Sequence, residues 1–419
     1  MQQKLSYMKK LLTMICGLML LVACEKDDAG SSKPAPAKRT VIVYMAGENN
    51  LNGLVNGDIQ EMVDGMQNIS DDYKLVAFVD NASKSTTPFI AQITNNSQHP
   101  IDTLYRYAED FYSSDADNFR EVLSRCMSLC PANDYGLILW GHASGWNIEA
   151  NGSTTSAPRR AYGADNGDNS SALPTTKTVK WLQIPDMSQA LEALHVQFKF
   201  IFCDCCNMMN AETAYEIRKC TEYLIASPAE ITGVGAPYNT MMKDFFNPND
   251  EEMYKSMCAD YNAQYDYVGG HLPISVVQTD KMEALAEATT KVLPMIADYT
   301  RRADATKGKV YYYAYNVNYD YEKVMYDMYG MVKAALEDYP VEFKAWQDAF
   351  YDTVIYSETS DRWHANTVNF SDFTVTTDNY GGISMFFPME KYTKSFHLYN
   401  EDIKQMQWYQ AVGWSAVGW

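Results

Sequence analysis

Five short apolar runs, each followed by a glycine or polar residues, constrain the fold of this chain more than any other feature. The runs cover residues 41–47, 74–80, 135–140, 200–203 and 223–227. Apolar runs of this length are typical of buried strands in a parallel sheet. Between them, apolar residues recur at helical spacing over 58–67, 113–129, 185–194 and 210–220. Strands that alternate with helices in this way predict an α/β fold with a parallel sheet and right-handed crossovers.

The later part of the chain is richer in helical patterns. Helices are predicted over 250–265, 280–301, 321–337 and 340–356. Asp280 and Glu283 fit a capping box at the start of the second of these helices. The strand-like runs 272–277 and 382–387 are expected to extend the sheet, and 88–94 alternates apolar with polar residues as an edge or hairpin strand does.

The amino terminus has the features of an export signal. Lys4, Lys9 and Lys10 precede an apolar stretch over 11–23 that is short for a bilayer span. The sequence L-V-A-C that ends at Cys24 resembles a bacterial lipobox, which implies cleavage before Cys24 and attachment of lipid to its sulfur. An ordinary signal peptide and an uncleaved anchor helix are the alternatives.

The composition and charge of the chain after residue 23 indicate which kinds of partner the mature protein binds. Residues 25–38 begin E-K-D-D and continue with Gly, Ser, Pro and Ala, which predicts a flexible tether. The K-D-D is similar to an export signal of some Gram-negative surface lipoproteins, so a surface-exposed outer-membrane lipoprotein is expected. Cleavage removes three lysines and no acid, which changes the formal charge from −19 to about −22. This charge argues against nucleic acid as a partner, favours basic peptides and proteins, and leaves the N-terminal lipid as the only membrane attachment.

A cluster of thiols follows one predicted strand, and a histidine follows another. Residues 203–206 contain three of the nine cysteines, while His142 lies between Gly141 and Gly145. Catalytic groups in parallel sheets collect beyond the carboxyl ends of the strands, and small residues let the backbone approach a ligand closely. A thiol and an imidazole there suit nucleophilic catalysis, in which the thiolate attacks and the imidazole activates it and later protonates the leaving group.

Other chemistries fit these residues less well. The order G-H-A-S-G after the third strand places serine fourth, whereas a serine nucleophile elbow needs it third. Zinc bound by Cys203, Cys205, Cys206 and His142 is an alternative, but adjacent cysteines seldom chelate one ion well. The chain has no P-loop and no dinucleotide-binding fingerprint. We therefore predict no metal at these residues.

Three longer segments give the chain a family resemblance. They are T-V-I-V-Y-M-A-G-E-N-N-L from Thr40, Y-G-L-I-L-W-G-H-A-S-G-W from Tyr135, and C-D-C-C-N-M-M-N-A-E-T-A-Y-E from Cys203. Together they resemble the clostripain family of cysteine peptidases, whose pattern around the nucleophile is D-A-C-x-M. Weaker matches at 319–321 and 382–388 extend the resemblance over most of the chain. It implies a caspase-like α/β fold and cleavage after Arg or Lys.

The same resemblance assigns roles to individual residues. Cys206 takes the place of the nucleophile, His142 that of the catalytic histidine, and Asp204 the acidic place that would favour a basic substrate side chain. The backbone N–H groups of Ala143 and Cys206 would form an oxyanion hole. Ala143 replaces a glycine that is usual in the family, and Cys205 replaces an alanine. These departures motivate the alternative of a non-catalytic surface lipoprotein that binds proteins or peptides.

Maturation and cofactors also follow from the resemblance. The resemblance implies that relatives can mature by a cut between the histidine and cysteine halves. Arg159 and Arg160 in the polar loop 151–178 are the candidate positions, and two ordinary exposed arginines are the alternative. No cofactor is required. Calcium is compatible with the family, but the stretch from Asp165 to Asp168 lacks the EF-hand pattern and reads as a polar turn. The expected organisation is a signal peptide over 1–23, a lipidated tether over 24–38, a caspase-like catalytic core over 39–240, and a helix-rich region packed on it over 241–419.

Overall fold

A computed structural model describes most of the chain beyond the tether. The described residues are 35–146, 161–167, 169–174, 179–264, 273–302, 324–359, 380–393 and 398–419, with the single positions 313, 376 and 378. The predicted signal peptide, the lipidation residue Cys24 and the candidate cleavage residues Arg159 and Arg160 lie outside them. Among the described helices, none combines the length and the apolar character that crossing a membrane needs.

The strands confirm the predicted α/β architecture. In chain order they are β1 Ala37–Gly47, β2 Tyr73–Asn81, β3 Phe89–Ile93, β4 Ile101–Arg106, β5 Ala132–Trp140, β6 Tyr162–Asp165, β7 Lys180–Leu182, β8 Phe198–Asp204, β9 Thr221–Ala226, β10 Ile274–Gln278, β11 Tyr326–Asp327, β12 Val354–Glu358 and β13 Ser384–Met385. Nine of them form one sheet in the order β12-β10-β9-β8-β5-β1-β2-β3-β4. The central pairs from β2 to β9 are parallel, and the pairs at both edges are antiparallel.

Helices flank this sheet. They are α1 Val55–Met66, α2 Ala116–Leu129, α3 Ile184–Glu192, α4 Ala211–Glu216, α5 Tyr238–Phe245, α6 Asp250–Ala263, α7 Met282–Thr300, α8 Met328–Ala335, α9 Pro340–Thr353, α10 Glu390–Thr393, α11 Tyr399–Asp402 and α12 Gln407–Val412. Local sequence explains several starts. The Asp115 side chain caps α2 by accepting the N–H groups of Asp117 and Asn118, and Asn249 caps α6 by accepting that of Glu252.

Two predictions for the later chain are wrong. Glu283 does not cap α7; it instead accepts hydrogen bonds from Tyr215 and Arg218, and no side chain caps this helix. The helix expected over 340–356 ends at Thr353, and Val354–Glu358 pairs with β10 as the edge strand β12. The β-branched and aromatic residues of this segment favour a strand when a neighbouring strand, here β10, offers an edge with which to pair.

Three further segments differ from expectation. The run 382–387 contributes only β13, which pairs with β11 in a separate two-stranded sheet, so it does not extend the large one. The helix expected over 321–337 begins only at Met328. The polar loop predicted over 151–178 contains β6, which pairs with β7 and lacks the apolar run that would have identified it.

Candidate active site

The register of β5 and β8 brings the predicted histidine and cysteine to the same edge of the sheet. The two strands are parallel, Trp140 pairs with Asp204, and the N–H of Gly141 donates to the carbonyl of Asp204 at 3.4 Å. His142 and Cys206 each lie two residues beyond this pair. Both line one cleft of about 360 Å³. The structure therefore places them together, as the two strand ends predicted.

His142 is held by a neighbour that the sequence did not single out. Its Nε2 lies 2.8 Å from Oδ1 of Asn50, in the loop that follows β1. With the proton on Nε2, the ring donates to this amide oxygen and leaves the lone pair on Nδ1. In that tautomer Nδ1 is able to accept a proton, which is what a general base requires.

Cys206 lies at a sharp turn just after β8. Its side chain is half-buried, and the N–H of Ile231 donates to its Sγ at 3.4 Å. The next residue, Asn207, adopts a positive φ of 58° and donates its N–H to the carbonyl of Ala229. Asparagine tolerates this left-handed conformation better than most residues. The turn holds the thiol at the cleft while the following residues pack inward.

The segment after His142 is fixed against the turn that follows Cys206. A Cβ atom added to Gly145, whose φ is +61°, would lie 2.4 Å from the carbonyl oxygen of Asn207, so only glycine fits there. On the other side, Ala143 forms an isolated antiparallel bridge with Tyr162. These contacts fix the position of Ala143, the predicted oxyanion-hole residue, next to His142.

Asp204 ends β8 beneath the same cleft. It is only 4% exposed, and its Oδ2 accepts hydrogen bonds from the hydroxyl of Tyr238 at 2.8 Å and the N–H of Ala236 at 3.1 Å. Its Oδ1 is buried and has no hydrogen-bond partner. Burial raises the pKa of Asp204 to about 6, although both hydrogen bonds lower it. A buried carboxylate with one free oxygen suits recognition of a cationic group.

A second acid lies close to Asp204 and was not predicted from the sequence. Asp58 in α1 accepts the indole N–H of Trp140 at 2.6 Å, and Trp140 lines the cleft. Burial, followed by the negative charge of Asp204, raises the pKa of Asp58 to about 7. The pocket floor thus gains negative charge as the pH rises through this range.

The neighbouring cysteines differ from Cys206 in exposure. Cys205 is fully buried, and burial raises the pKa of its thiol well above the ordinary value. Since the thiolate is the nucleophile, a buried thiol with a raised pKa is a poor one. None of the seven cysteines in the described part of the chain is disulfide-bonded, so Cys205 and Cys206 form no disulfide.

Comparisons with known proteins show the family of the chain. The family model described as "Clostripain family" matches residues 43–419. A secreted C11 cysteine protease from Bacteroides thetaiotaomicron, solved with an irreversible peptide inhibitor, is 26% identical with a TM-score of 0.72, covering 90% of this chain and 99% of its own. An inactive zymogen C11 protease from Parabacteroides distasonis is 25% identical with a TM-score of 0.71 and the same coverage.

These matches bear on fold and activity together. A third structure, the secreted C11 protease "iotapain" from Bacteroides thetaiotaomicron, shares the fold at 18% identity with a TM-score of 0.73. No curated protein matches the chain. The family model and the inhibitor-bound relative show a caspase-like fold with cysteine-type peptidase activity on peptides, and they favour the peptidase over a non-catalytic binding lipoprotein.

Proposed function

Since this chain belongs to the clostripain family, we propose that it is an endopeptidase that cleaves after Arg or Lys with a Cys206–His142 dyad. The observation that carries the proposal is the shared cleft. It is lined by a half-exposed thiol, an imidazole, and a buried carboxylate with one oxygen unpartnered. Nucleophile, base and a reader of positive charge are the three groups that this reaction needs.

The reaction follows from these groups. His142 takes the proton of the Cys206 thiol, and the thiolate attacks the carbonyl carbon of the scissile bond. The oxyanion that forms is stabilised by the backbone N–H groups of Ala143 and Cys206. His142 then gives its proton to the leaving amine as the C–N bond breaks. Water hydrolyses the remaining thioester and regenerates the thiol.

Specificity is assigned to Asp204. An arginyl or lysyl side chain that enters the cleft meets the free Oδ1, and a desolvated ion pair of this kind is strong when both partners are present. An apolar side chain of similar length leaves that carboxylate buried without a partner. The expected discrimination is therefore about 100-fold or more, in line with the penalty for an unpaired buried charge.

The test uses reporter peptides with Arg, Lys or norleucine before the scissile bond. Wild-type protein is expected to cleave the first two, and Cys206→Ala is expected to cleave none. Cys205→Ala is the matched control, because it removes the adjacent thiol, which is buried. Its activity is expected within about threefold of wild type, since a small buried substitution perturbs packing only slightly. Equal cleavage by wild type and Cys206→Ala would contradict the proposal that Cys206 and His142 form the catalytic dyad.

Maturation and location belong to the same proposal. We expect self-cleavage at Arg159 or Arg160 and attachment to the outer membrane through lipid on Cys24. N-terminal sequencing of fragments from wild type and Cys206→Ala tests the first, and a cut that persists in the mutant would point to another protease. Metabolic labelling with palmitate tests the second, and label retained by Cys24→Ala would contradict it.

A further inference from the structure

The carboxylate of Asp204 is hydrogen-bonded on one oxygen only, by the segment that leads into α5. The Tyr238 hydroxyl donates to Oδ2 at 2.8 Å, and the N–H of Ala236 donates to the same oxygen at 3.1 Å. The buried Oδ1 has no partner. Among the described residues, Tyr238 provides the only side chain that donates to this carboxylate. Two donors on one oxygen fix the rotation of the carboxylate and leave the other oxygen for a ligand.

The turn before α5 packs directly against this carboxylate. Gly235 has a φ of +69°, and a Cβ atom added to it would lie 2.9 Å from Oδ2 and 3.3 Å from Oδ1 of Asp204. Glycine is therefore required here, because a side chain would push against the carboxylate. Gly235 also lines the cleft that contains His142 and Cys206. The turn thus places the backbone beside Asp204 and leads at once to Tyr238.

Tyr238 is held in position by groups outside the cleft. It is the first residue of α5 and is fully buried. Its N–H donates to Oε2 of Glu61 in α1 at 3.1 Å, and its ring lies against that of Phe245 with 6.4 Å between the centroids. Neither contact involves the hydroxyl. Because the backbone and the ring are fixed independently, the hydroxyl meets Asp204 at a defined place.

This hydrogen bond also favours the charged form of Asp204. Burial has the largest effect and raises the pKa of Asp204 to about 6, while the hydrogen bond from Tyr238 is the largest influence that lowers it. The negative charge of Glu61 raises the same pKa. Burial raises the pKa of Tyr238 itself well above its ordinary value, so its hydroxyl remains a donor at all working pH values. Without this hydroxyl, more of the Asp204 carboxyl would be protonated at neutral pH and unable to pair with a cation.

We propose that Tyr238 is a positioning residue for substrate recognition: its hydroxyl keeps the Asp204 carboxylate ionised and turned so that Oδ1 meets a basic side chain in the cleft. This inference rests on the proposed role of Asp204 as the group that recognises Arg or Lys. Tyr238 is not among the residues that line the cleft, so it acts through Asp204 and not by contact with substrate.

The test measures binding of a cation without catalysis. Full-length Cys206→Ala protein is titrated by calorimetry from pH 5 to pH 9 with benzamidine, whose amidine stays positively charged over this range. Tyr238→Phe in this background removes the hydroxyl and keeps the N–H that Glu61 accepts. The midpoint of the pH dependence, about 6 with the hydroxyl present, should rise by roughly one to two pH units. Affinity should therefore fall about two- to fifteenfold at pH 7 and stay within about twofold at pH 9.

Other titratable groups around Asp204 are the same in both proteins. They are Asp58 and Glu61 in α1, Cys205 beside Asp204 in the chain, and His142 and Glu230 in the lining of the cleft. Burial raises the pKa of Cys205 well above its ordinary value, so this thiol stays protonated at neutral pH. The difference between the two binding curves therefore reports the Tyr238 hydroxyl.

A second tyrosine–aspartate pair supplies the matched control. The Tyr313 hydroxyl donates at 2.7 Å to Oδ2 of Asp327, a buried acid whose pKa burial also raises to about 6, and neither residue lines the cleft. Tyr313→Phe should leave the benzamidine curve unchanged. Tyr238→Leu also lacks the hydroxyl and is made in parallel, so that one folding failure does not decide the matter. It should move the midpoint in the same direction as Tyr238→Phe.

Asp204→Asn in the Cys206→Ala background separates this inference from the proposed function. If Asp204→Asn abolishes the pH dependence near pH 6 but Tyr238→Phe keeps the midpoint of the parent, the inference is overturned and the role of Asp204 stands. A curve that Asp204→Asn leaves unchanged would overturn the role of Asp204 itself. Binding by Tyr238→Phe that is equally weakened at pH 7 and pH 9 would show a packing role only, and would also overturn the inference.

Discussion

Two groups of buried acids lie at the carboxyl edge of the sheet, and their surroundings differ. Asp204 and Asp58 accept side-chain hydrogen bonds from Tyr238 and Trp140, and Asp204 borders an open cleft. In the acidic cluster of Glu48, Asp80 and Asp165, three oxygens have no donor. The first arrangement tolerates an empty pocket and suits a positive charge that arrives with substrate and leaves. In the second, burial raises the pKa of Glu48 to about 8, so protons compensate part of the negative charge.

Asp204→Asn should separate the two groups most strongly. It removes the charge that pairs with a basic substrate, so kcat/KM for an arginyl reporter should fall by about 100- to 1000-fold. Cleavage of a norleucyl reporter should change little. An equal fall in cleavage of the arginyl and norleucyl reporters would contradict the role of Asp204.

The loop that follows β1 offers a second test, for which the expected effect is smaller. Asn50→Ala removes the amide that contacts Nε2 of His142, so kcat should fall about tenfold while KM stays within twofold. Asn52→Ala in the same loop is the control and should match wild type. If Asn50→Ala raised KM instead, the role of Asn50 would lie in substrate binding.

The binding of benzamidine, which carries a positively charged amidine, should depend on pH because of the Asp204 carboxyl in the cleft. Because the pKa of Asp204 is raised to about 6, the carboxyl becomes neutral below that pH and no longer pairs with a cation. Affinity of Cys206→Ala protein for benzamidine should therefore fall towards tenfold per pH unit below about pH 6. Tyr238 stays protonated in this range, while Asp58, whose pKa is raised to about 7, also loses charge. If the affinity for benzamidine did not change between pH 7 and pH 5, the role of Asp204 would be contradicted.

Asp58→Asn should give the smallest effect. The amide keeps an acceptor for Trp140 but removes a negative charge that is present only above about pH 7. Benzamidine affinity should fall about two- to fourfold at pH 8 and remain unchanged at pH 6, as expected for a charge that acts without direct contact. A comparable loss at both pH values would indicate a packing defect instead.

The sequence was most informative where a local pattern coincided with a strand end. The runs before His142 and Cys206 predicted β5 and β8, and the parallel register then brought the two side chains to one cleft. The choice of Cys206 over Cys205 came from the family pattern, and the burial of Cys205 now gives a physical reason for it. These residues were predictable because strand length and direction fix their position.

Residues that depend on packing between distant segments were missed. Glu48 and Asp80 meet because β1 and β2 pair in parallel with Ala46 opposite Asp80, a register that no local pattern encodes. Asp165 was interpreted as part of a polar turn, since its partners lie about 85 and 117 positions earlier in the chain. Asn50 and Asp58 likewise looked like ordinary loop and helix residues.

Chemical labelling of the thiols tests the central claim most directly. Folded, reduced wild-type protein is treated with an irreversible arginyl ketone and digested, and the modified cysteine is identified by mass spectrometry. A single adduct on Cys206, absent when His142 is replaced by alanine and reduced in Asp204→Asn, is the predicted result. An adduct on Cys205, or an unlabelled Cys206 in active protein, would contradict the proposed nucleophile.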